Sequence, residues 1–464
     1  MKEKSKALKQ DRSKAVEAAK LETIHQLRAD AAGIDLGAEE LYVAVPEERD
    51  EKPVRSFATF TADLYALARW LKECQVKTVA MEATGVYWIP VYDVLEAEGL
   101  EVYLVNARHI QNVSGRKSDI LDCQWLQQLH SFGLLRNSFR PRDEIRTLRS
   151  LVRHRENLIR YRSAHIQHMQ KALRQMNVLL DQVVSDITGV TGMAIIRDIV
   201  QGNREPEQLA KHRDPRCKKS EEEIAHSLYG NYRTEFLFEL RQAVELYDFY
   251  GEKIGDCDKE IDDLYTLLNQ AADPNDLPPP PKARRPKRQG NAPEFDLRTH
   301  LYHLAGTDLT QIDGIDVLTT QTLLAEIGAD VSAWPTEKHF SSWLHLSPNH
   351  RVSGGKVLKR STSSGVVRAS LALRQAAQSL SRSQSALGAF YRRIRAKHGP
   401  SHANVATAHK LARIVYRMLK YKDNYIDPGP DQYTERQRQR VIRNLRRQAA
   451  RLGLTLQSPQ PLPA

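Results

Sequence analysis

Four acidic residues in the first third of the chain stand where carboxylates could do chemistry. Asp35 lies in a β-leaning run, Ala32-Gly33-Ile34-Asp35-Leu36, just before Gly37. Glu82 follows the apolar run from Val76 to Met81, and Asp119 and Asp122 stand three apart where a helix should begin. Residues three apart share a helix face, and strand ends and helix starts of an open α/β sheet converge on one edge. Four carboxylates meeting there would repel unless divalent cations neutralised them. Oxygen-only donors suit Mg2+ or Mn2+, and two such ions can activate an attacking oxygen and stabilise a leaving one at a phosphate. Taken singly, each acid reads more simply: Asp35 as a turn residue, Glu82 as a solvated strand end, Asp119 as a first-turn acid favoured by the helix dipole. The four together, in one expected fold, favour the metal-binding reading.

A second candidate lies far downstream. Ser353 precedes Gly354 and Gly355, with Lys356, Lys359, Arg360, Arg368 and Arg374 close behind. The glycines suggest a pliable loop that brings a hydroxyl close to a phosphate, and the cations would stabilise charge there. No histidine–acid pair adjoins the serine, so chemistry alone reads the stretch as a flexible basic loop.

The elements that must position these residues follow from periodicity. Runs around 32–36, 41–45 and 54–58 read as strands, then an amphipathic helix from Thr61 to Cys74 carries Leu64, Leu67, Ala68 and Leu71 at helical spacing. A buried strand (76–81), a helix (86–98) closed by Gly99, a strand (101–105) and a helix from Ser118 to about His130 complete the pattern. Tight turns imply an antiparallel meander and helical crossovers imply parallel neighbours, hence a mixed sheet with helices on its faces. From Pro141 to about Leu180 an apolar stripe marks one long helix, a coiled-coil or helical-hairpin arm. Arg146, Arg149, Arg153 and Arg160 are among the arginines on its other faces, candidate contacts for nucleic acid. Residues 202–269 read as helical, with a second arm over 240–268.

A Pro- and Arg-rich stretch, 272–298, reads as a linker. Beyond it, 299–425 form a mostly helical unit in which Ile312-Asp313-Gly314-Ile315 resembles a helix-hairpin-helix turn or an ordinary interhelical turn. The remainder, 426–464, is a basic tail, expected to be helical. Residues 1–28 form a charged leader with no apolar core, so no secretory signal is expected.

Composition narrows the class. The chain has 464 residues, 69 Lys plus Arg against 57 Asp plus Glu, and a formal charge of +12, a balance that favours a polyanionic partner. No run approaches the roughly 20 apolar residues a bilayer helix needs, so no membrane partner is expected. The four cysteines form no CxxC pair, which argues against a zinc finger or disulfide framework and for a reducing cytoplasm; a polyanionic partner such as DNA would place the protein at the nucleoid.

Four segments then carry a specific likeness. Gly33-Ile34-Asp35, Met81-Glu82-Ala83-Thr84-Gly85-Val86-Tyr87-Trp88, Val105-Asn106-Ala107-Arg108-His109 and Gly115-Arg116-Lys117-Ser118-Asp119-Ile120-Leu121-Asp122 closely resemble the DEDD transposases of insertion-sequence family 110. The resemblance implies an RNase H/RuvC-like domain over 29–140, with Asp35, Glu82, Asp119 and Asp122 as magnesium-binding carboxylates. Arg116 and Lys117 are candidate DNA-backbone contacts. Residues 308–395 resemble the family's C-terminal transposase domain, in which a serine in a Ser-Gly loop is the nucleophile. Ser353 is the matching position, and Lys356, Lys359, Arg360 and Arg368 are candidate nucleic-acid contacts beside it.

The family's usual Thr-Lys or Ser-Lys pair is absent from Ser361-Thr362-Ser363-Ser364-Gly365, which leaves Ser363 and Ser364 as alternatives. The resemblance further implies a composite site, with one protomer's serine facing another's metal cluster. It implies a covalent phosphoserine intermediate, cutting and rejoining of insertion-sequence and target DNA, and a structured guide RNA held partly by the arm at 141–271. A shared site requires at least a dimer, and four strand cuts suit a tetramer. Two rivals remain: a junction-type nuclease with water as nucleophile, and a nucleic-acid-binding scaffold whose carboxylates are structural.

Overall fold

A computed structural model of the chain describes residues 26–83, 85–106, 119–273, 275–276, 278–280, 290–354, 356–362, 365 and 367–455. The chain divides into two compact units, Met1–Arg140 and Pro141–Ala464. Most of the leader at 1–28 and much of the 272–298 stretch lie outside the described residues.

The first unit is built on a five-stranded sheet in the order β3-β2-β1-β4-β5, the RNase H-like arrangement. Its strands are β1 (Ala31–Leu36), β2 (Glu40–Ala44), β3 (Val54–Ala58), β4 (Thr78–Glu82) and β5 (Glu101–Val105). A three-residue turn after Leu36 and a nine-residue connection after Ala44, which holds only a 3-10 turn at Glu47–Arg49, carry no crossover helix, and β1, β2 and β3 pair antiparallel. Helices α1 (Thr61–Glu73) and α2 (Trp88–Ala97) are the crossovers that let β4 and β5 run parallel to β1. The α/β part of the expected architecture, a mixed sheet with helices on its faces, is therefore present. Helix α2 begins two residues later than periodicity suggests. Gly85 adopts φ +54° there, and Val86 and Tyr87 are exposed in a turn ahead of it.

Alternation along the strands separates the two faces of the sheet. Ala32, Ile34 and Leu36 of β1, with Val79 and Met81 of β4, enter a core completed by Leu64, Leu67 and Leu71 of α1 and Val91 and Leu95 of α2. Ala80 faces the other way and packs with Val105 and Leu126, the last on α3 (Asp119–Ser131). Gly33 shares that second face. A Cβ there would lie 2.3 Å from both the Cys123 carbonyl oxygen and the Gln127 backbone nitrogen. The absent side chain therefore lets α3 lie directly against the backbone of the central strand.

The second unit begins with α4 (Asp143–Gln175), about 50 Å long at 1.5 Å per residue. Shorter helices follow, α5 (Leu180–Val183), α6 (Val190–Gln201), α7 (Pro206–Ala210) and α8 (Glu221–Ser227), and then α9 (Thr234–Leu268) returns. Cys257 lies against the Leu151 carbonyl, Tyr250 stacks on His165 at 5.5 Å, and the Asn231 N–H donates to the Met176 carbonyl at 2.9 Å. Early residues of α4 thus meet late residues of α9, so the pair is antiparallel. Its far end is a separate core holding Met169, Leu173, Ile195, Ile196, Leu228 and Leu240. Helix α9 starts six residues before the expected second arm because Phe236 and Leu237 already pack on this core. Arg155 is 5% exposed and forms a two-pronged ion pair with Asp258.

The remaining elements are α10 (Leu297–Ala305), α11 (Val317–Ile327), α12 (Glu337–Trp343), β6 (Pro348–Ser353), β7 (Lys356–Thr362), α13 (Arg368–Ser379), α14 (Ala386–His398), α15 (Pro400–Tyr421) and α16 (Gly429–Arg451). Helix α15 is central. Its Leu411, Ala412, Val415 and Tyr416 are buried, and Tyr416 joins Phe340, Trp334 and Trp343 in an aromatic cluster. The region is mostly helical, as expected, with one correction. The serine stretch is a β-hairpin, where sequence reading expects a loop. Ser353 and Lys356 form the registered pair that closes it, and Gly354 sits at φ +54°. A two-residue Gly-Gly connection suits the turns whose twist matches paired strands, and the irregular polarity of the flanking residues hid that signal. Among the described residues, no helix is long and apolar enough to cross a membrane.

The Gly33 contact generates a first prediction. Gly33→Ala should lower thermal stability by at least about 2 kcal/mol, because a methyl group would meet helix backbone that cannot rotate away. A melting curve matching that of the parent protein would show that α3 does not press on β1.

Candidate active site

The geometry of the first site follows from the sheet. Gly33 and Asp35 are two apart on β1, so the Asp35 side chain leaves on the face that α3 covers. Ala80 and Glu82 bear the same relation on β4. Ile34 registers with Met81, and one residue further along the parallel pair Asp35 and Glu82 follow side by side. Helix α3 supplies Asp119 and Asp122 from its first turn. Asp35, Glu82 and Asp122 are partly buried, and Asp119 is exposed. The structure thus brings all four acids to one edge.

Asp35 registers their proximity electrically. Its acid is pushed up to about 6, first by burial and then by the negative charges of Asp119, Asp122 and Glu82. The N–H of Leu36, 3.1 Å from Oδ1, opposes the shift. Cys123, just behind, is buried and its thiol is raised to about 12, chiefly by burial, so it stays neutral and offers no soft thiolate. The edge is open. Among the described residues no three His, Cys, Asp or Glu side chains are gathered closely enough to enclose a metal ion. Arg116 and Lys117 lie outside the described residues.

The serine site is described within the second unit alone. Ser353 and Lys356 are both exposed across the hairpin turn. Lys359 registers with Arg351 and Arg360 with His350 on β7, while Ser363 and Ser364 fall outside the described residues. Arg368 opens α13 and pairs with Glu156 of α4. The Gly314 turn is used for packing: at φ +87° its Cβ position would lie 2.8 Å from the Ala376 carbonyl. The side chain of Asp316 already caps α11, accepting from the Thr319 N–H at 2.7 Å. A carboxylate at that helix start repels a phosphate, which favours the ordinary interhelical turn.

The arm arginines divide. Arg153 grips Glu326 through two bonds of 2.8 Å. Arg149 donates to the backbone carbonyls of Ala325 and Glu326 at the end of α11 and lies 3.5 Å from the Glu326 carboxylate. Arg146 pairs with Asp143 at the start of α4, and Arg160, exposed, donates to Asn157. Sequence reasoning passed over Glu326, although one acid inside Leu323-Leu324-Ala325-Glu326-Ile327 was a sign that a buried charge needed partners.

Comparison with protein families matches two segments of the chain. Residues 32–178 match the transposase model for IS110-type DEDD enzymes, and residues 306–392 match the Transposase IS116/IS110/IS902 family. No curated protein matches the chain. Both models describe transposases, enzymes that cleave and transfer DNA. The chain belongs to the IS110 family of transposases, with a DEDD N-terminal part and the family's C-terminal part.

The raised Asp35 acid fixes a pH dependence. The fold prefers the protonated form, so its contribution to stability is present below about pH 4 and is lost as pH rises through about 6. In chelator-treated protein, Asp35→Asn should raise the melting temperature at pH 7.5, and the gain should shrink on acidification from pH 6 to pH 4. A gain equally large at pH 4 would mean that the cost of ionising Asp35, set by its burial and then by its acidic neighbours, is not the cause.

Proposed function

We propose that Asp35, Glu82, Asp119 and Asp122 hold Mg2+, or Mn2+ in its place, and that Ser353 is the nucleophile of DNA strand transfer. The observation that carries the first half is the convergence of four acids from the ends of β1 and β4 and the first turn of α3, where burial and then the neighbouring carboxylates oppose ionisation of Asp35. An oxygen-only donor set bearing surplus negative charge fits a hard divalent cation, and a nearby thiol that stays protonated offers no competing ligand. When bound, the ions would lower the barrier by neutralising charge on the phosphate and favouring ionisation of the attacking hydroxyl.

The chain's own residues do the rest. Ser353 Oγ loses its proton and bonds to phosphorus, while a deoxyribose oxygen leaves and takes up a proton. The phosphoserine ester retains the bond energy, so a hydroxyl of a second strand reverses the step and rejoins DNA without an external energy source. Lys356, across the turn, is the nearest cation in the hairpin register. The Ser-Gly-Gly hairpin within a matched transposase region supports Ser353 over Ser363 and Ser364.

The composite site requires at least a dimer, and a tetramer suits four strand cuts. Phe238, Leu246 and Phe249 of α9 are 57%, 43% and 49% exposed at spacings of eight and three, an apolar face that supports pairing through the arm. A structured RNA is proposed as guide on the strength of the family resemblance and the basic arm. Arg160 and Lys356 are assigned to nucleic acid, with Arg116, Lys117, Lys359 and Arg360 as further contacts. Arg149 and Arg153 are assigned to Glu326.

Incubated with element-end DNA, guide RNA and Mg2+, the parent protein should form an adduct that survives denaturing electrophoresis. Ser353→Ala should abolish it while nucleic-acid affinity stays within about threefold, and Ser363→Ala and Ser364→Ala should retain it. Glu82→Gln should reduce the adduct by about 100-fold or more, and chelation should do the same until Mg2+ or Mn2+ is restored. Hydrolysed ends without an adduct, or an adduct in Ser353→Ala, would defeat the serine assignment.

A further inference from the structure

Helix α16 has an arrangement that neither matched family region covers, the second ending at residue 392. It is 23 residues long, about 35 Å, and buries no side chain. Its first turns are anchored at Tyr433, whose hydroxyl accepts from Arg393 at 2.7 Å and whose ring meets Phe390 at 6.3 Å and the Lys410 ammonium at 5.4 Å.

Beyond that anchor the sequence is sorted by face. At 100° per residue, Arg436, Arg440, Arg443, Arg446, Arg447 and Arg451 fall within about 140° of arc. Arg438 lies off that arc and pairs with Glu435 at 3.8 Å. Among the described residues, no carboxylate pairs with the six arginines of the arc. Val441, Ile442 and Leu445 occupy the opposite face and are 54%, 37% and 48% exposed.

We infer that the arginine face of α16 is a docking surface for the phosphate backbone of duplex DNA, lying in or along its major groove. This rests on the reading of the chain as a DNA-acting enzyme. Three arguments select that partner. Six guanidiniums without carboxylate partners form a strip about 22 Å long from Arg436 to Arg451, and arginine binds phosphate oxygens with a planar fork of donors. The B-DNA major groove, about 12 Å wide, admits an α-helix, whereas the deep, narrow major groove of A-form RNA does not. An anionic lipid surface is the partner that a basic face opposite apolar residues would otherwise serve, but the apolar face here is only Val441, Ile442 and Leu445 and the chain belongs to a family that acts on DNA, which selects DNA over lipid.

The test uses the full chain with Arg436, Arg440, Arg443 and Arg447 all changed to Gln, which preserves helix propensity. Anisotropy of a labelled 30-base-pair duplex is followed across 50–300 mM NaCl, with an RNA hairpin of equal length and phosphatidylserine vesicles as comparison probes. The variant should bind duplex at least about tenfold more weakly at 0.1 M salt. Its plot of log affinity against log salt should be shallower by about 3 to 4, near 0.9 per phosphate contact. Val441→Ser with Leu445→Ser should match the parent. An unchanged slope on DNA overturns the inference, as does a loss confined to the RNA hairpin or to the vesicles. The readout is binding without cleavage, so it stands or falls separately from the Ser353 adduct.

Discussion

The backbone-to-backbone approach of α3 and β1 at Gly33 is the constraint on which the first unit depends. Small residues on that face of the sheet, Gly33 and Ala80, bring the helix close enough for its first turn to overhang the strand ends. The opposite face is filled by large aliphatic residues on α1 and α2, which fix the sheet so that this closeness is not relieved by movement. The result shows at Asp35, whose ionisation is opposed first by burial and then by the acids that packing brings near it. An acidic edge on which one carboxyl resists ionisation is built by this opposition.

In the second unit, Glu326 plays a comparable organising part with the sign reversed. A nearly buried carboxylate near the end of α11 receives Arg153 and Arg149 from α4, and Arg149 also satisfies carbonyls that the helix end leaves open. The base of the arm is thereby joined to the helices that carry the serine hairpin. Arginines that look like a nucleic-acid surface in one dimension are partly the fasteners of the unit in three.

Legibility in the sequence followed the range of the interactions. Strand and helix periods in 31–131 are local, so the mixed sheet and the places of Asp35, Glu82, Asp119 and Asp122 on it could be read directly. The long helix and its returning partner were equally plain from their apolar stripes. What stayed hidden depends on distant partners. The inward turn of Arg155 depends on Asp258, and the engagement of Arg149 and Arg153 depends on Glu326, residues more than a hundred positions away. The hairpin around Gly354 was hidden for another reason: its strands are polar on both faces, so alternation, the usual mark of a strand, is absent.

The pair between buried Arg155 and partly buried Asp258 has a mechanical consequence. The pair resists sliding, because displacement by one turn would leave the buried Arg155 guanidinium without its carboxylate at a cost of several kcal/mol. Helices α4 and α9 are thus locked in one register and behave as a strut of set length. The distal cluster around Met169 and Ile196 is thereby held at a fixed span, Met169 lying about 39 Å along α4 from its start at Asp143.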